Sequence, residues 1–212
     1  MTKKRINNKE FFLEYDLVVI SPGGSAQTFV MNWIGDQKSS DYTMNKQDDS
    51  DNLKHLSSFE NSVFNCCKVS RVLYIFNNTL LSILSNFRRN WYCMQYRKIS
   101  KYEDFVPNHL FDTPTQLFDQ VMKSNQDISN VSTHFYNWLK YPGKIYFLDV
   151  NDIDHTQLSK FLGFNLTPLN ISNNKRHTYP NIPEDIKQFY KNIDETIRYQ
   201  IKIKNKLAST NT

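Results

Sequence analysis

The stretch Leu17-Val-Val-Ile-Ser-Pro-Gly-Gly-Ser-Ala-Gln-Thr-Phe-Val-Met-Asn-Trp-Ile34 decides the fold. It opens with an apolar run rich in β-branched residues, Leu17 to Ile20, which predicts a buried strand. Beyond a glycine-containing turn, apolar residues recur at helical spacing from Phe29 to Ile34. The stretch therefore predicts a strand, a tight turn and a helix in direct succession.

The turn between this strand and helix has the composition of an anion cradle. Backbone N–H groups in the first turn of a helix lack intrahelical acceptors, and the helix dipole favours negative charge there. Gly23 and Gly24 would let a phosphate approach the backbone closely, while Ser25 and Thr28 would add hydroxyl donors. An ordinary strand-to-helix turn uses the same residue types, so the stretch alone leaves both interpretations open.

Two common phosphate-binding motifs are missing from this loop. A Walker-type loop ends in Gly-Lys-Ser/Thr, but Ala26-Gln27-Thr28 stands at the corresponding position. The dinucleotide fingerprint requires a third glycine at a fixed spacing, and none follows Gly23-Gly24 there. Ordinary ATP or GTP hydrolysis is therefore disfavoured.

Length predicts one domain that covers residues 1–212, and the mildly basic charge fits an anionic ligand, or weak contact with nucleic acid or a membrane surface. The net charge is +5 at pH 7 and the sequence pI is about 9.0. Because the basic residues are scattered, nucleic acid is not expected as a partner. Within the domain we expect a polar lead-in at 1–14, a mobile loop at 36–52 and a C-terminal helix at 183–206.

Cysteine usage and hydropathy predict a cytoplasmic, soluble protein. Three cysteines, at positions 66, 67 and 93, are too few for a disulfide framework or a four-cysteine zinc site. No metal is expected. The polar N-terminus lacks the apolar core of a signal peptide, and no run approaches the roughly 20 apolar residues of a membrane span.

Further apolar runs predict a parallel sheet. Strands are expected at 17–20, 71–76 and 144–150, with a short strand at 53–56; helices are expected at 80–87, after a cap at Thr115, at 132–139 and at 154–161. Buried strands separated by helices predict a three-layer α/β/α fold with a central parallel sheet. Ligands bind at the carboxyl ends of such strands, where we expect the glycine turn to be a P-loop-like anion-binding turn. Trp91 and Trp138 are expected in the core.

Four segments together resemble one enzyme family by their order and spacing: Pro22–Phe29, Leu53–Leu56, Leu73–Ser85 and Tyr141–Gly163. They are similar to the P-loop sulfotransferases, which transfer a sulfuryl group from 3′-phosphoadenosine 5′-phosphosulfate (PAPS) to a hydroxyl or amine. The resemblance covers about residues 15 to 165. It implies PAPS as co-substrate, an adenosine bisphosphate product, an unidentified hydroxyl acceptor and no metal.

The resemblance also implies roles for individual residues. His55 would be the general base, because Leu53-Lys-His-Leu56 is similar to the family segment that carries it. Asn77 and Ser85 would hold the 3′-phosphate, since Ser85 lies eight residues after the position of the family's arginine. The remaining nucleotide-binding residues would come from the loop: Gly23, Gly24, Ser25, Ala26, Gln27, Thr28 and Phe29.

The chain departs from the family at two charged positions. The loop lysine falls on Gly23 or Gly24, and Asn77 stands where the family has an arginine. Substitutes could come from Lys54, from Arg88 and Arg89, or from Lys175-Arg176. These departures keep two alternatives open: a non-catalytic nucleotide-binding or interaction module of the same fold, and another P-loop phosphotransferase such as a nucleotide kinase.

Overall fold

The computed structural model describes residues 4–6, 9–11, 13–100, 111–169 and 181–210, and it describes side chains within 13–100, 111–169 and 181–206. Its strands are β1 (Lys4–Ile6), β2 (Lys9–Phe11), β3 (Leu13–Tyr15), β4 (Val18–Ile20), β5 (Cys67–Val69), β6 (Val72–Phe76) and β7 (Ile145–Asp149). Its helices are α1 (Gln27–Gly35), α2 (Ser62–Asn65), α3 (Thr79–Arg88), α4 (Tyr92–Ile99), α5 (Pro114–Ser124), α6 (Val131–Leu139), α7 (His155–Leu162) and α8 (Glu184–Thr210). The fold is mixed α/β, as predicted.

The predicted parallel strands form a small central sheet in the order β4-β6-β7. Both pairs are parallel, with Val18 opposite Val72 and Val72 opposite Ile145. Every residue of the three strands is buried, which explains why their sequences are apolar without alternation. A second parallel pair joins β3 to β5, and β1 pairs with β2 as an antiparallel ribbon.

Alternate residues of the central sheet enter two different hydrophobic clusters, because successive strand side chains point to opposite faces. One face packs on α6 and α8 through Phe135, Trp138, Ile197 and Ile201. The other face packs on α1 and α7 through Val30, Met31, Ile34, Leu158 and Leu162. A third cluster, built by α3, α4, α5 and α8, supports the α3–α4 hairpin beside the sheet.

Each edge strand of the central sheet is paired with an asparagine side chain. At β4, Val19 donates its N–H to Asn45 Oδ1 at 2.7 Å and accepts from Asn45 Nδ2 at 3.1 Å. At β7, Phe147 donates to Asn205 Oδ1 at 3.1 Å and accepts from Asn205 Nδ2 at 2.8 Å. These primary amides satisfy backbone groups that a neighbouring strand would otherwise pair.

The segment predicted as a loop, residues 36–52, contains no helix or strand, but several contacts hold it against the sheet. Met44 forms an isolated parallel bridge with Leu17, and Asn45 is 3% exposed. Asp51 accepts a hydrogen bond from Tyr15 at 3.2 Å, and Asp49 forms an ion pair with Lys98. The polar lead-in contains three short strands, and the last helix extends beyond the predicted 183–206 to Thr210.

Two local predictions were wrong. Residues 53–56 form a turn and not a strand, because their backbone groups are bonded by side chains and by the glycine turn. The cap of α5 is Thr113 and not Thr115: Thr113 forms a capping box with Gln116, and Pro114 occupies the first helical position. The spacing of the apolar face predicts a cap two residues later than the observed one, beyond Pro114.

We expect Asn205→Leu to lower the free energy of unfolding by about 1–3 kcal/mol, because it leaves two backbone groups of β7 without partners. Urea unfolding at neutral pH measures the change. Asn192→Leu is the matched control, since Asn192 is an exposed asparagine of α8 whose side chain, among the described residues, accepts only from Gln188. Equal stability of the two variants would show that the hydrogen bonds between the Asn205 side chain and β7 do not contribute to stability.

Candidate functional site

The loop that follows β4 is held to the end of its strand by Ser21 and Gln27. Ser21 Oγ donates to Gln27 Oε1 at 2.6 Å and accepts from the Gly23 N–H at 3.2 Å. Gln27 Nε2 then donates to the Val19 carbonyl at 2.7 Å. Ser21 and Gln27 are buried, so the turn between them has a single defined path.

The N-terminus of α1 is open. Its N-cap residue, Ala26, has a left-handed backbone with φ of 60° and makes no capping hydrogen bond with its side chain. Among the described residues, the backbone N–H groups of Gln27, Thr28 and Phe29 have no acceptor. Three unpaired donors at the positive end of a helix dipole are suited to an oxyanion.

Both glycines of the turn are packed against neighbouring helices. A Cβ on Gly23 would lie 2.9 Å from Gln95 Oε1, and one on Gly24 would lie 2.5 Å from the Ser82 carbonyl oxygen. Their φ values of +87° and +69° also disfavour any side chain. A lysine at position 24 would therefore displace the backbone of α3, whereas a lysine at position 23 would displace the Gln95 side chain.

His55 joins the loop through a reciprocal pair of hydrogen bonds. The Ser21 N–H donates to the Lys54 carbonyl at 3.2 Å, and His55 Nδ1 lies 2.9 Å from the Ser21 carbonyl oxygen. Because a carbonyl only accepts, Nδ1 carries the proton and Nε2 keeps its lone pair. Burial lowers the pKa of His55 to about 4 and outweighs the opposing hydrogen bond to Ser21. The imidazole is therefore neutral at pH 7.

Helix α6 fixes the turn that carries His55. His134 Nε2 and Trp138 Nε1 both donate to the Leu56 carbonyl, at 2.8 and 2.9 Å. The hydroxyl of Tyr74 donates to His134 Nδ1 at 2.9 Å. His134 is fully buried, and this burial lowers its pKa to about 3. A neutral core histidine thus positions the neighbour of the candidate base.

Lys54 brings a cation to the first turn of α1. Its Nζ donates to Thr28 Oγ1 at 2.8 Å and to the Gln47 carbonyl at 2.7 Å. Burial is the largest cause that lowers the pKa of this ammonium group, and the nearby cations Lys98 and Arg89 act in the same direction. Asp49 accepts from the Lys54 N–H at 2.9 Å and opposes them.

These elements enclose a cavity of about 380 Å³, which we call the loop cavity. It is lined by residues 24–29, Asn32, Lys54, His55, Arg89, Trp91 and Gln95. At its rim Phe29 and Trp91 are 46% and 45% exposed, and the Arg89 guanidinium lies 5.3 Å from the Trp91 ring centroid. The prediction that Trp138 lies in the core is confirmed, whereas the same prediction for Trp91 was wrong.

The structure brings together most, but not all, of the residues singled out from the sequence. Residues 24–29 and His55 line the loop cavity, and Gly23 lies behind it against Gln95. Asn77 and Ser85 do not line it. Asn77 Oδ1 accepts from the Asn78 N–H at 2.7 Å and from Asn151 Nδ2 at 3.1 Å. Their assignment to a 3′-phosphate stays a prediction, and Lys175-Arg176 lie outside the described residues.

Three residues of the cavity, Asn32, Trp91 and Gln95, were not anticipated as site residues. None belongs to a motif. Asn32 lies on α1, whereas the place of Trp91 and Gln95 depends on how the α3–α4 hairpin packs on the loop. Within the described ranges, no group of three or more His, Cys, Asp or Glu side chains could hold a metal ion. In the same part of the chain, no helix is long and apolar enough to cross a membrane.

Comparisons with known proteins identified no relative of this chain. No protein-family model, no curated protein and no solved structure matches the chain.

Stability should fall on acidification because of the two buried histidines. Both are neutral in the folded state, with pKa values of about 4 and about 3, but bind a proton in the unfolded chain below about pH 6.5. Each therefore lowers the free energy of unfolding by about 1.4 kcal/mol per pH unit between that value and its folded-state pKa. Between pH 7 and pH 5, His134→Gln should lose about 2 kcal/mol less stability than the unsubstituted protein.

Urea unfolding at the two pH values measures this difference. His55→Gln should reduce the pH dependence in the same direction, because its histidine is shifted the same way. If His134→Gln loses stability in parallel with the unsubstituted protein, the buried neutral state of His134 is contradicted.

Proposed function

We propose that this protein is sulfotransferase-like: it binds a 3′-phosphoadenosine nucleotide at the loop cavity and transfers a sulfuryl group from PAPS to a hydroxyl acceptor. The observation that carries the proposal is the shared cavity itself. The open N-terminus of α1 and the neutral imidazole of His55 line the same 380 Å³ space. An anion site next to a candidate base is what transfer from an anionic donor to a hydroxyl requires.

The architecture supports the same proposal. The loop follows the carboxyl end of a buried parallel strand, where ligands of α/β proteins bind. Helices pack on both faces of the central sheet through separate clusters. We therefore propose a three-layer α/β/α arrangement with a P-loop-like turn.

Lys54 would compensate for the missing loop lysine. Its ammonium group reaches Thr28 from a different segment and at 2.8 Å, so a positive charge stands at the first turn of α1. Arg89 lines the same cavity, whereas Arg88 does not. Together with the unpaired N–H groups, these cations would stabilise negative charge that develops on the phosphate side of the scissile bond.

His55 would act as the general base. Bound PAPS supplies the electrophilic sulfuryl group and a phosphate leaving group. Nε2 of His55 accepts the proton of the acceptor hydroxyl, while Nδ1–H keeps its hydrogen bond to the Ser21 carbonyl. That carbonyl would orient the ring and stabilise the imidazolium as the proton arrives.

The partners for a 3′-phosphate are weaker than those for the 5′ side. Because Asn77 Oδ1 already accepts two hydrogen bonds, the residue can offer only its Nδ2 donor, and Ser85 can offer a hydroxyl. The neutral amide at position 77 favours the second candidate, a non-catalytic nucleotide-binding module of the same fold. A nucleotide kinase is the third candidate, and the missing Gly-Lys-Ser/Thr argues against it.

Calorimetric titration tests nucleotide binding. Adenosine 3′,5′-bisphosphate should bind with micromolar affinity and more tightly than AMP or ATP. Lys54→Met should weaken it about tenfold or more, because a buried charged donor is lost. Lys160→Met, on α7 outside the loop cavity, is the matched control. Tighter binding of ATP would favour the kinase candidate, and no binding of any nucleotide would contradict the proposal.

His55→Asn separates catalysis from binding. The asparagine amide can keep the donor to the Ser21 carbonyl but cannot replace Nε2. Transfer of labelled sulfate from PAPS to a panel of hydroxyl acceptors should fall at least about 100-fold, while affinity for adenosine 3′,5′-bisphosphate changes less than about threefold. Unchanged turnover would remove His55 from the mechanism. Binding without turnover in the unsubstituted protein would establish the non-catalytic candidate.

A further inference from the structure

Gln95 has a buried side chain whose amide makes no hydrogen bond within the part of the chain that the structure describes. It is 4% exposed, it lines the loop cavity, and its Oε1 has no donor among the described residues. Leaving a buried polar group unpaired costs about 1–3 kcal/mol. An oxyanion cannot pair with Oε1, because both are acceptors. Nε2 also makes no hydrogen bond within the described residues, and a free donor on a residue of the cavity wall is suited to a ligand that accepts hydrogen bonds.

The amide oxygen of Gln95 lies beside the glycine turn. Oε1 lies against Gly23, 2.9 Å from where a Cβ would stand, and is the fully buried end. The other end, Nε2, is the one that can reach the cavity. The backbone of Gln95 is fixed as well, because its N–H donates to the Trp91 carbonyl at 2.8 Å at the start of α4.

We propose that Gln95 is a further ligand-binding residue, whose Nε2 donates to a phosphate or sulfate oxygen held by the N–H groups of α1. This inference rests on the proposed function, because it requires an oxyanion in the loop cavity. Gln95 is a neutral donor, unlike the lysine of the sulfotransferase loop. It approaches the oxyanion from α4, so that the α3–α4 hairpin becomes part of the site.

Asn86 provides a matched control on the same hairpin. It is 5% exposed and its Oδ1 also has no partner in the described part of the chain. Unlike Gln95, it does not line the loop cavity. Replacement of Asn86 by leucine therefore reports what the removal of an unpaired buried amide does without a change to the ligand site.

The test compares Gln95→Leu, Gln95→Glu and Asn86→Leu with the unsubstituted protein. Adenosine 3′,5′-bisphosphate is titrated by calorimetry, and sodium sulfate is compared with sodium chloride at equal ionic strength by thermal unfolding. Both leucine variants should keep or raise the melting temperature, because each removes an unpaired polar group. Gln95→Leu should weaken nucleotide binding about tenfold or more and reduce the sulfate response, whereas Asn86→Leu should change affinity less than about twofold.

Gln95→Glu keeps the size of the side chain and adds a negative charge, so it should bind the nucleotide more weakly than Gln95→Leu does. If Gln95→Leu does not fold, the nucleotide affinity of Gln95→Glu tests the role of Gln95. Affinity within twofold of the unsubstituted protein in the Gln95 variants would overturn the role of Gln95 while the nucleotide site stands. A sulfate response that depends on Gln95, without nucleotide binding, would support Gln95 and overturn the nucleotide assignment. No specific response to either probe would overturn both.

Discussion

The paired hydrogen bonds between Ser21 and the Lys54–His55 turn hold the candidate site together. One bond runs from the Ser21 N–H to the Lys54 carbonyl, and the other runs from His55 Nδ1 to the Ser21 carbonyl. Both lie among buried residues, where hydrogen bonds are electrostatically stronger and hard to replace by water. Through them the end of β4, the candidate base and the candidate cation form one unit.

Burial of polar groups determines the chemistry of this unit. It keeps His55 neutral with a usable lone pair, it lowers the pKa of Lys54, and it leaves Oε1 of Gln95 without a donor among the described residues. Each of these states costs stability in the free protein. The surrounding core offsets this cost, and two side chains of α6 donate hydrogen bonds to the Leu56 carbonyl. Buried polar groups with shifted pKa values that cluster in one cavity are typical of binding and catalytic sites.

Much of the fold was predictable because it depends on local patterns. The apolar runs identified β4, β6 and β7, and helical spacing identified α1, α3, α6, α7 and α8. The glycine turn was also predictable as a candidate anion site. By contrast, both glycines turned out to accommodate α3 and α4. The sequence pattern does not show which helices pack against these two glycines.

What could not be predicted depends on contacts between distant segments. The side-chain amides of Asn45 and Asn205 bond the edge strands in place of a neighbouring strand. Because asparagine is common throughout this chain, the sequence does not show which asparagines take this role. Residues 53–56 were expected to form a short strand, yet tertiary hydrogen bonds hold them in a turn. Gln95 enters the site only because the α3–α4 hairpin folds over the loop. Such effects override local propensity.

The most direct test of the central claim is an amide NMR titration with adenosine 3′,5′-bisphosphate, because it reports on each backbone N–H separately. The account predicts the largest chemical-shift changes at Gln27, Thr28 and Phe29, whose N–H groups lack acceptors within the described chain. Smaller changes should appear at His55. Changes confined to the separate cavity between β7 and α8, around Arg198, would contradict it, as would unaltered amides throughout the first turn of α1.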